Sequence, residues 1–486
     1  MKRNKKSGVF SDKVPVIFAI HFFKRLKTKE TQKPPGVTMR KTRTDQVSLF
    51  DSFSNHDIGK ELKAMSERLD AHREMLEWVA LDLHRKDVYD TGRQGLPAES
   101  VLRCALLKQY RQLSYQELAF YLSDSASFQA FARLPGSLFP KKSVLQETIS
   151  RIQPGTWERI NQCLLRDAQH EQVESGSKVR IDSTVTATDI HAPSDSALLW
   201  DSVRVMVRLL EAAQSMPGTP EIEFRNHQRR AKQRARAIIY TRGKDKKALL
   251  YRDLIEVTTN TLRYLEQAKM ILTVTGSATL QLEAWHAEVD HYRPLIKRVI
   301  DQAERRVFQG ERVPAGEKLF SLFEPHTDII IKGNRDIQYG HKLNLSSGKS
   351  GLILDVVVEE GNPADAERLL PMLKRHIHQY GRAPKQLAVD GGYASQDNLE
   401  KAKGCGVEDV AFHKKRGLRI EAMVKSTWVY RQLRNFRAGI EAGISWLKRA
   451  YGLSRCTWKG LVHFKSFVWS SVVAHNLALL ARLKPA

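Results

Sequence analysis

The hydrophobic period changes several times along this chain, and those changes limit what it can fold into. Up to about residue 172 apolar side chains recur at helical spacing: Leu62, Met65 and Leu69, then Leu102, Leu106 and Leu107. At Ser177 the period drops to two, with Val179, Ile181 and Val185 alternating with Arg180, Asp182 and Thr184, which predicts a strand. Residues 196–318 return to long helical patterns. Strand text resumes at Gly340, where His341–Ser346 and Leu352–Val358 flank the turn Ser347-Gly-Lys-Ser-Gly351 as a hairpin. A helix over Ala364–Tyr380, a strand over Gln386–Asp390, a helix near 395–403, a strand over Val407–Phe412 and a long helix over Arg431–Arg449 complete the order. This predicts an α/β fold: a mixed sheet flanked by helices, interrupted by a helical insertion over 196–320 and preceded by an all-α region over 48–175.

Charge narrows the partner. Lys+Arg outnumber Asp+Glu by 79 to 54, a formal +25, which points to a polyanion, nucleic acid before membrane surface. Residues 1–47 read as a basic leader, with Met39 an alternative start. Removing residues 1–38 takes away ten Lys/Arg and two Asp/Glu and still leaves +17, so the body is basic too. The run Val14–Phe23 is about half the ~20 residues of a membrane span and has cations where a cleavage site should be. The apolar run Ser466–Ala481 carries His475 and Asn476 and reads as a core helix, so no membrane role is expected. Cys104, Cys163, Cys405 and Cys456 lie far apart and form no CxxC pair, which argues against a disulfide framework and a Cys-type zinc site and favours a reducing compartment.

Two stretches invite a DNA-binding reading. Ser114 with Glu117 three residues on is a capping-box signature at the start of a helix, and with the segments around 125–135 and 143–152 it allows a helix-turn-helix. Plain helical packing explains the same text, and both readings stay open. Within the insertion, Arg225–Arg236 holds Arg229, Arg230 and Arg234 and is followed by Lys244, Lys246 and Lys247. Only Asp245 interrupts the positive charge, which favours a phosphate-contacting face over a merely solvated one.

Three acids stand out by position. Asp182 lies in the first strand, on the face opposite Val179 and Ile181. Asp390 ends a strand and is followed by Gly391-Gly392; carboxyl ends of strands are where α/β sites assemble. Glu441 lies on the long helix. At about 100° per residue, Arg437, Glu441 and Lys448 fall within about 40° of one another, apart from the stripe Phe436, Ile440, Leu447 and Tyr451. Such an edge suits a metal-and-phosphate site and equally a surface i,i+4 salt bridge.

These motifs together resemble the DDE transposases of bacterial insertion sequences, which share an RNase H-like core. Arg437-x3-Glu441-x6-Lys448 is similar to the R-(3)-E-(6)-K part of the group's Y-(2)-R-(3)-E-(6)-K signature, with Arg434 where the tyrosine stands and Tyr430 one turn earlier. Val179–Thr184 resembles the first-acid strand and Ala388–Tyr393 the second. Asp189–Asp201, Tyr339–Lys342 and the helical text around Leu113–Leu122 are further matches, the first pointing to the subgroup called ISNCY. The resemblance covers about residues 48–482.

The resemblance implies an RNase H-like catalytic region over 176–482 and a DNA transposase. Asp182, Asp390 and Glu441 would be catalytic and would hold two Mg²⁺ (or Mn²⁺) ions roughly 3.5–4 Å apart, with Asp182 bridging. Water would cut at the element's ends, and the freed 3′-OH would attack target DNA. Arg437, Lys448, Arg434 and the run Lys414-Lys415 would contact phosphate. The expected partners are double-stranded DNA (terminal inverted repeats and target) and a second copy of the chain, in the cytoplasm at the bacterial nucleoid. The alternatives are an inactive or repurposed sequence-specific DNA-binding protein derived from a transposase, and a nuclease of the same fold without strand transfer.

Overall fold

A computed structural model describes residues 56–84, 95–134, 138–217, 220–275, 279–332 and 336–483. The expected leader at 1–47 and the alternative start at Met39 lie outside them. Seven helices come first: α1 (Asp57–Asp70), α2 (Arg73–Leu83), α3 (Ala98–Tyr110), α4 (Tyr115–Asp124), α5 (Ala126–Ala132), α6 (Lys142–Ile149) and α7 (Pro154–His170). The capping box is complete: Glu117 N donates to Ser114 Oγ at 3.1 Å, and Ser114 N donates to the Glu117 carboxylate at 2.7 Å. Two arginines and two acids tie α1, α3 and the end of α5 together, with Arg103 and Arg133 sharing Asp70 and Glu99.

The sheet begins with β1 (Lys178–Thr188), and four helices intervene before it resumes: α8 (Asp195–Gln214), α9 (Gln228–Tyr240), α10 (Lys244–Thr275) and α11 (Leu280–Val307). These four bury a core of their own, with Leu199, Met206, Leu265 and Val289 among its members, distinct from the core of the rest of the molecule. The segment joining β1 to α8 is pinned at both ends. Asp189 pairs with Arg455, and Asp195 receives Arg306 and Gln302 from α11.

The remaining elements are β2 (Asp328–Lys332), β3 (Asp336–Ser347), β4 (Ile353–Val358), α12 (Asp365–Tyr380), β5 (Gln386–Val389), α13 (Gln396–Gly404), β6 (Asp409–Phe412), α14 (Ile420–Met423), α15 (Thr427–Ala450), β7 (Arg455–Cys456) and α16 (Leu461–Arg482). The sheet order is β2-β3-β1-β5-β6, with β4 also on β3 and β7 on β1. β3 runs antiparallel to β1, whereas β5 and β6 run parallel to it. The architecture is the expected one: a mixed RNase H-like sheet flanked by helices, split by a helical insertion and preceded by helices.

Two local expectations need correcting. β2 and β7 escaped the sequence reading, the first because Ile329–Ile331 is too short a run to show a period. The long helix begins at Thr427, not Arg431, because Ser426 caps it by accepting from Val429 N at 3.2 Å. In the Tyr339–Lys342 stretch, a Cβ at Gly340 would overlap the Thr186 carbonyl of β1, and Lys342 donates to the Pro363 carbonyl and pairs with Asp365.

α16 is buried on nearly every face. Its Asn476 accepts from Ile353 N at 2.9 Å and donates to Asn161 and the Ile353 carbonyl, so the polar residue inside the apolar run fastens the start of β4. Among the described residues no helix is long and apolar enough to cross a membrane.

Candidate active site

The parallel register of β1 and β5 pairs Ile181 with Val389, so Asp182 and Asp390 follow each other's level on adjacent strands. β1 continues past Asp182, but β5 stops at Val389, and the chain turns through Gly391-Gly392-Tyr393. Gly391 is required by a close approach: a Cβ there would lie 2.7 Å from Lys414 Cβ. The loop after β6 thus runs beside Asp390, with His413 N donating to the Val389 carbonyl at 2.9 Å. Lys414 and Lys415 are exposed on it.

α15 lies across β1, β5 and β6 and supplies the third acid together with a cation that reaches all three. Arg437 Nη2 donates to Asp182 Oδ2 at 2.9 Å and stands 3.3 Å from Asp390 Oδ1, while its Nη1 donates to Glu441 Oε1 at 2.7 Å. The Asp182 and Asp390 oxygens share one nitrogen, so they can be no further apart than the sum of its two contacts. Asp182 Oδ1 is held by Ser183 N at 2.7 Å, which fixes the carboxylate's orientation. The side chain of Arg437 is 10% exposed and that of Glu441 63%, so the cluster runs from floor to rim. Of the three acids only Asp182 is largely buried, and Arg437 supplies its counter-charge.

The residue that holds α15 in place was not singled out by the sequence. Arg180, two residues before Asp182, donates from Nε to Ser347 Oγ at 2.7 Å and from Nη1 to the Phe436 carbonyl at 2.8 Å. Its guanidinium also stacks over the Phe436 ring, 4.7 Å from the centroid. β1 therefore carries an acid and, on the same face, the cation that docks the helix bearing the other acid. A signal was present: Gly439 inside a helix, where a Cβ would overlap Arg180 Nη1.

Below the acids, Tyr393 is fully buried and donates to Asn344 Oδ1 at 2.7 Å. Burial first, then Asp365 and Asp182, push its phenol far above the ordinary value, so it stays protonated.

Other singled-out residues fall elsewhere. Arg434 is exposed, with its guanidinium 5.9 Å from the Tyr430 ring centroid. Tyr430 cannot replace the missing signature tyrosine as a phosphate contact: it is 6% exposed and its hydroxyl donates to the Phe412 carbonyl at 2.9 Å. Lys448 is half-buried on the same helix. Arg230 and Arg234 both grip Asp253, joining α9 to α10, while Arg229 is exposed. His341 is buried against His326 at 2.7 Å, away from solvent.

The donor set of Asp182, Asp390 and Glu441 is all carboxylate oxygen, the chemistry that suits Mg²⁺ or Mn²⁺ better than zinc. The residues fit such ions in kind, and in the arrangement described the three acids stand around Arg437.

Sheet order and acid placement together define a protein of the RNase H-like class. Two family models match the chain: a transposase DDE domain over residues 330–477 and a transposase domain (DUF772) over residues 56–151. The chain belongs with the insertion-sequence transposases of the DDE type. The first match takes in Asp390 and Glu441; β1 with Asp182, and the insertion, lie outside both. No curated protein and no solved structure matches. Family membership makes DNA the partner and divalent-metal chemistry general to the group.

Proposed function

We propose that this chain cuts DNA at the ends of an insertion sequence and joins the freed 3′-OH to target DNA, with Asp182, Asp390 and Glu441 as metal ligands and catalytic residues. The observation that carries this reading is the convergence of all three carboxylates, from two strands and a helix, on the single guanidinium of Arg437. Three acids against one cation leave a net negative pocket in an otherwise basic protein, which favours divalent cations there. Two Mg²⁺ ions, when bound, would stabilise charge on the attacking and leaving oxygens of an in-line displacement.

The chain's own groups do the rest. The Ser183 amide keeps one oxygen of Asp182 engaged, so the other points to the pocket. Arg437, Arg434 and Lys448 on α15, and Lys414 and Lys415 on the loop beside Asp390, would neutralise phosphate oxygens and hold the strand in register. Arg229, Arg230 and Arg234 would add contacts further along the DNA. Because two inverted repeats must be cut in coordination, the working unit is a homodimer.

The test is cleavage of labelled DNA carrying the flanking inverted repeats, in Mg²⁺ and in Mn²⁺. Wild type should nick at the repeat boundary, and Asp182→Ala, Asp390→Ala and Glu441→Ala should each abolish nicking while retaining binding. If all three variants cut like wild type, the assignment fails. If wild type binds the ends but never cuts, the repurposed DNA-binding reading replaces it. Cutting without joining would point to a nuclease.

A further inference from the structure

Away from the acids, the start of α2 meets α7 through a second group of polar side chains. His72 stands at the N-cap position of α2 and Glu74 lies in its first turn; Cys163 and Asp167 sit one turn apart on α7. His72 Nδ1 is 3.2 Å from Glu74 Oε1, and Cys163 Sγ is 3.4 Å from the same oxygen. Among the described residues this is the one group of three or more His, Cys, Asp or Glu side chains whose ligand atoms all lie within 4.8 Å of one another.

We propose that His72, Glu74 and Cys163 form a Zn²⁺ site joining α2 to α7. The argument is first one of geometry. Zinc takes nitrogen at ~2.0–2.1 Å, carboxylate oxygen at ~2.0–2.2 Å and sulfur at ~2.3 Å in a tetrahedron, whose N–O and O–S edges are then roughly 3.3 and 3.5 Å. The two separations seen here, 3.2 and 3.4 Å, are already at those edges.

The second argument is the histidine's other nitrogen. His72 Nε2 lies 2.6 Å from Asp167 Oδ2. A proton held on Nε2 by that carboxylate leaves Nδ1 as a lone pair facing Glu74 Oε1. A carboxylate behind a histidine is the usual outer support of a metal-bound imidazole. Arg166 Nη2 donates to Cys163 Sγ at 2.8 Å, an outer hydrogen bond to the sulfur. On binding, the thiol proton is released to solvent.

A cleft of about 430 Å³ opens on the Asp167 side of His72, lined also by Arg68 and Glu171. The imidazole and thiol distinguish this site from the all-carboxylate one, so it selects a different metal.

Cobalt(II) reports on it directly. The full chain, stripped with a chelator, should bind one equivalent of Co²⁺ with a near-ultraviolet thiolate-to-cobalt absorption band that Zn²⁺ abolishes. The three acids of the other site contain no sulfur and cannot produce that band. Cys163→Ser should remove the band and Cys405→Ser should keep it. Asp167→Asn, a positioning change, should keep the band but weaken affinity by about 10–100-fold. Glu74→Gln, at a half-exposed side chain, should weaken it at least tenfold. No band from folded wild type, or a band surviving Cys163→Ser, overturns the proposal.

Discussion

The guanidinium of Arg180 occupies the space where a side chain at position 439 would begin. A glycine within α15 is thereby explained by a residue on β1, and the pair sets how closely the helix bearing Glu441 approaches the strand bearing Asp182.

Gly439→Ala should therefore destabilise, against intrinsic helix preference. Alanine gains about 1 kcal/mol over glycine in a helix, but displacing Arg180 from the Phe436 carbonyl forfeits a charged hydrogen bond of ~1.5–3 kcal/mol. The net expectation is a loss of about 0.5–2 kcal/mol in chemical denaturation. In an Arg180→Ala background the same change should become stabilising. A stabilised single variant would show that the contact is slack.

Arg437 and divalent ions should compete for the same carboxylates. Mn²⁺ should raise the melting temperature of wild type slightly and that of Arg437→Gln more, because the variant lacks the internal counter-charge. Without metal, Arg437→Gln should melt lower than wild type. Equal Mn²⁺ shifts in the two proteins would argue against ion binding among these acids.

In the insertion, Arg230 and Arg234 have a structural partner that Arg229 is not seen to share. Arg234→Gln should lower stability by loosening Asp253, whereas Arg229→Gln should leave the melting curve unchanged. If this face meets phosphate, each lost contact should reduce the slope of log affinity against log salt by about 0.9. An unchanged slope in both variants would leave the arginines as interhelical ties only.

Acid should weaken the fold through two buried histidines. Burial pushes His376 and His475 down to about 4 from an ordinary 6.5, with nearby Arg382 and Arg482 adding in the same direction. Between those values the unfolded chain binds protons that the folded one does not. Stability is therefore full above about pH 6.5 and falls toward pH 4, by at most about 1.4 kcal/mol per pH unit for each histidine. Denaturation of His475→Phe should show a shallower pH dependence; an identical profile would mean that His475 is protonated without penalty.

Period changes made the sheet, its interruption and the helical preface legible, because each depends on local patterning. Asp182 and Glu441 stood out for the same reason, one by alternation and the other by the helical wheel. Strand register is tertiary, so the level alignment of Asp182 with Asp390 through Ile181 and Val389 was not readable. The wheel placed Arg437 beside Glu441 but could not turn it toward two strands. Arg180 read as an ordinary polar alternation, since its partners lie 167 and 256 positions away. Arg230 and Arg234 looked like free positive charge because Asp253 belongs to another helix.

The separate core of the four inserted helices bears on biosynthesis. Asp182 and Arg437 are 255 positions apart, and closing so long a span as loose coil is entropically unfavourable. A self-contained bundle over Asp195–Val307 condenses a little under half of the intervening span before the sheet zips up. A polypeptide still emerging from the ribosome can thus hold a folded insertion, yet no assembled acid cluster until α15 has been translated.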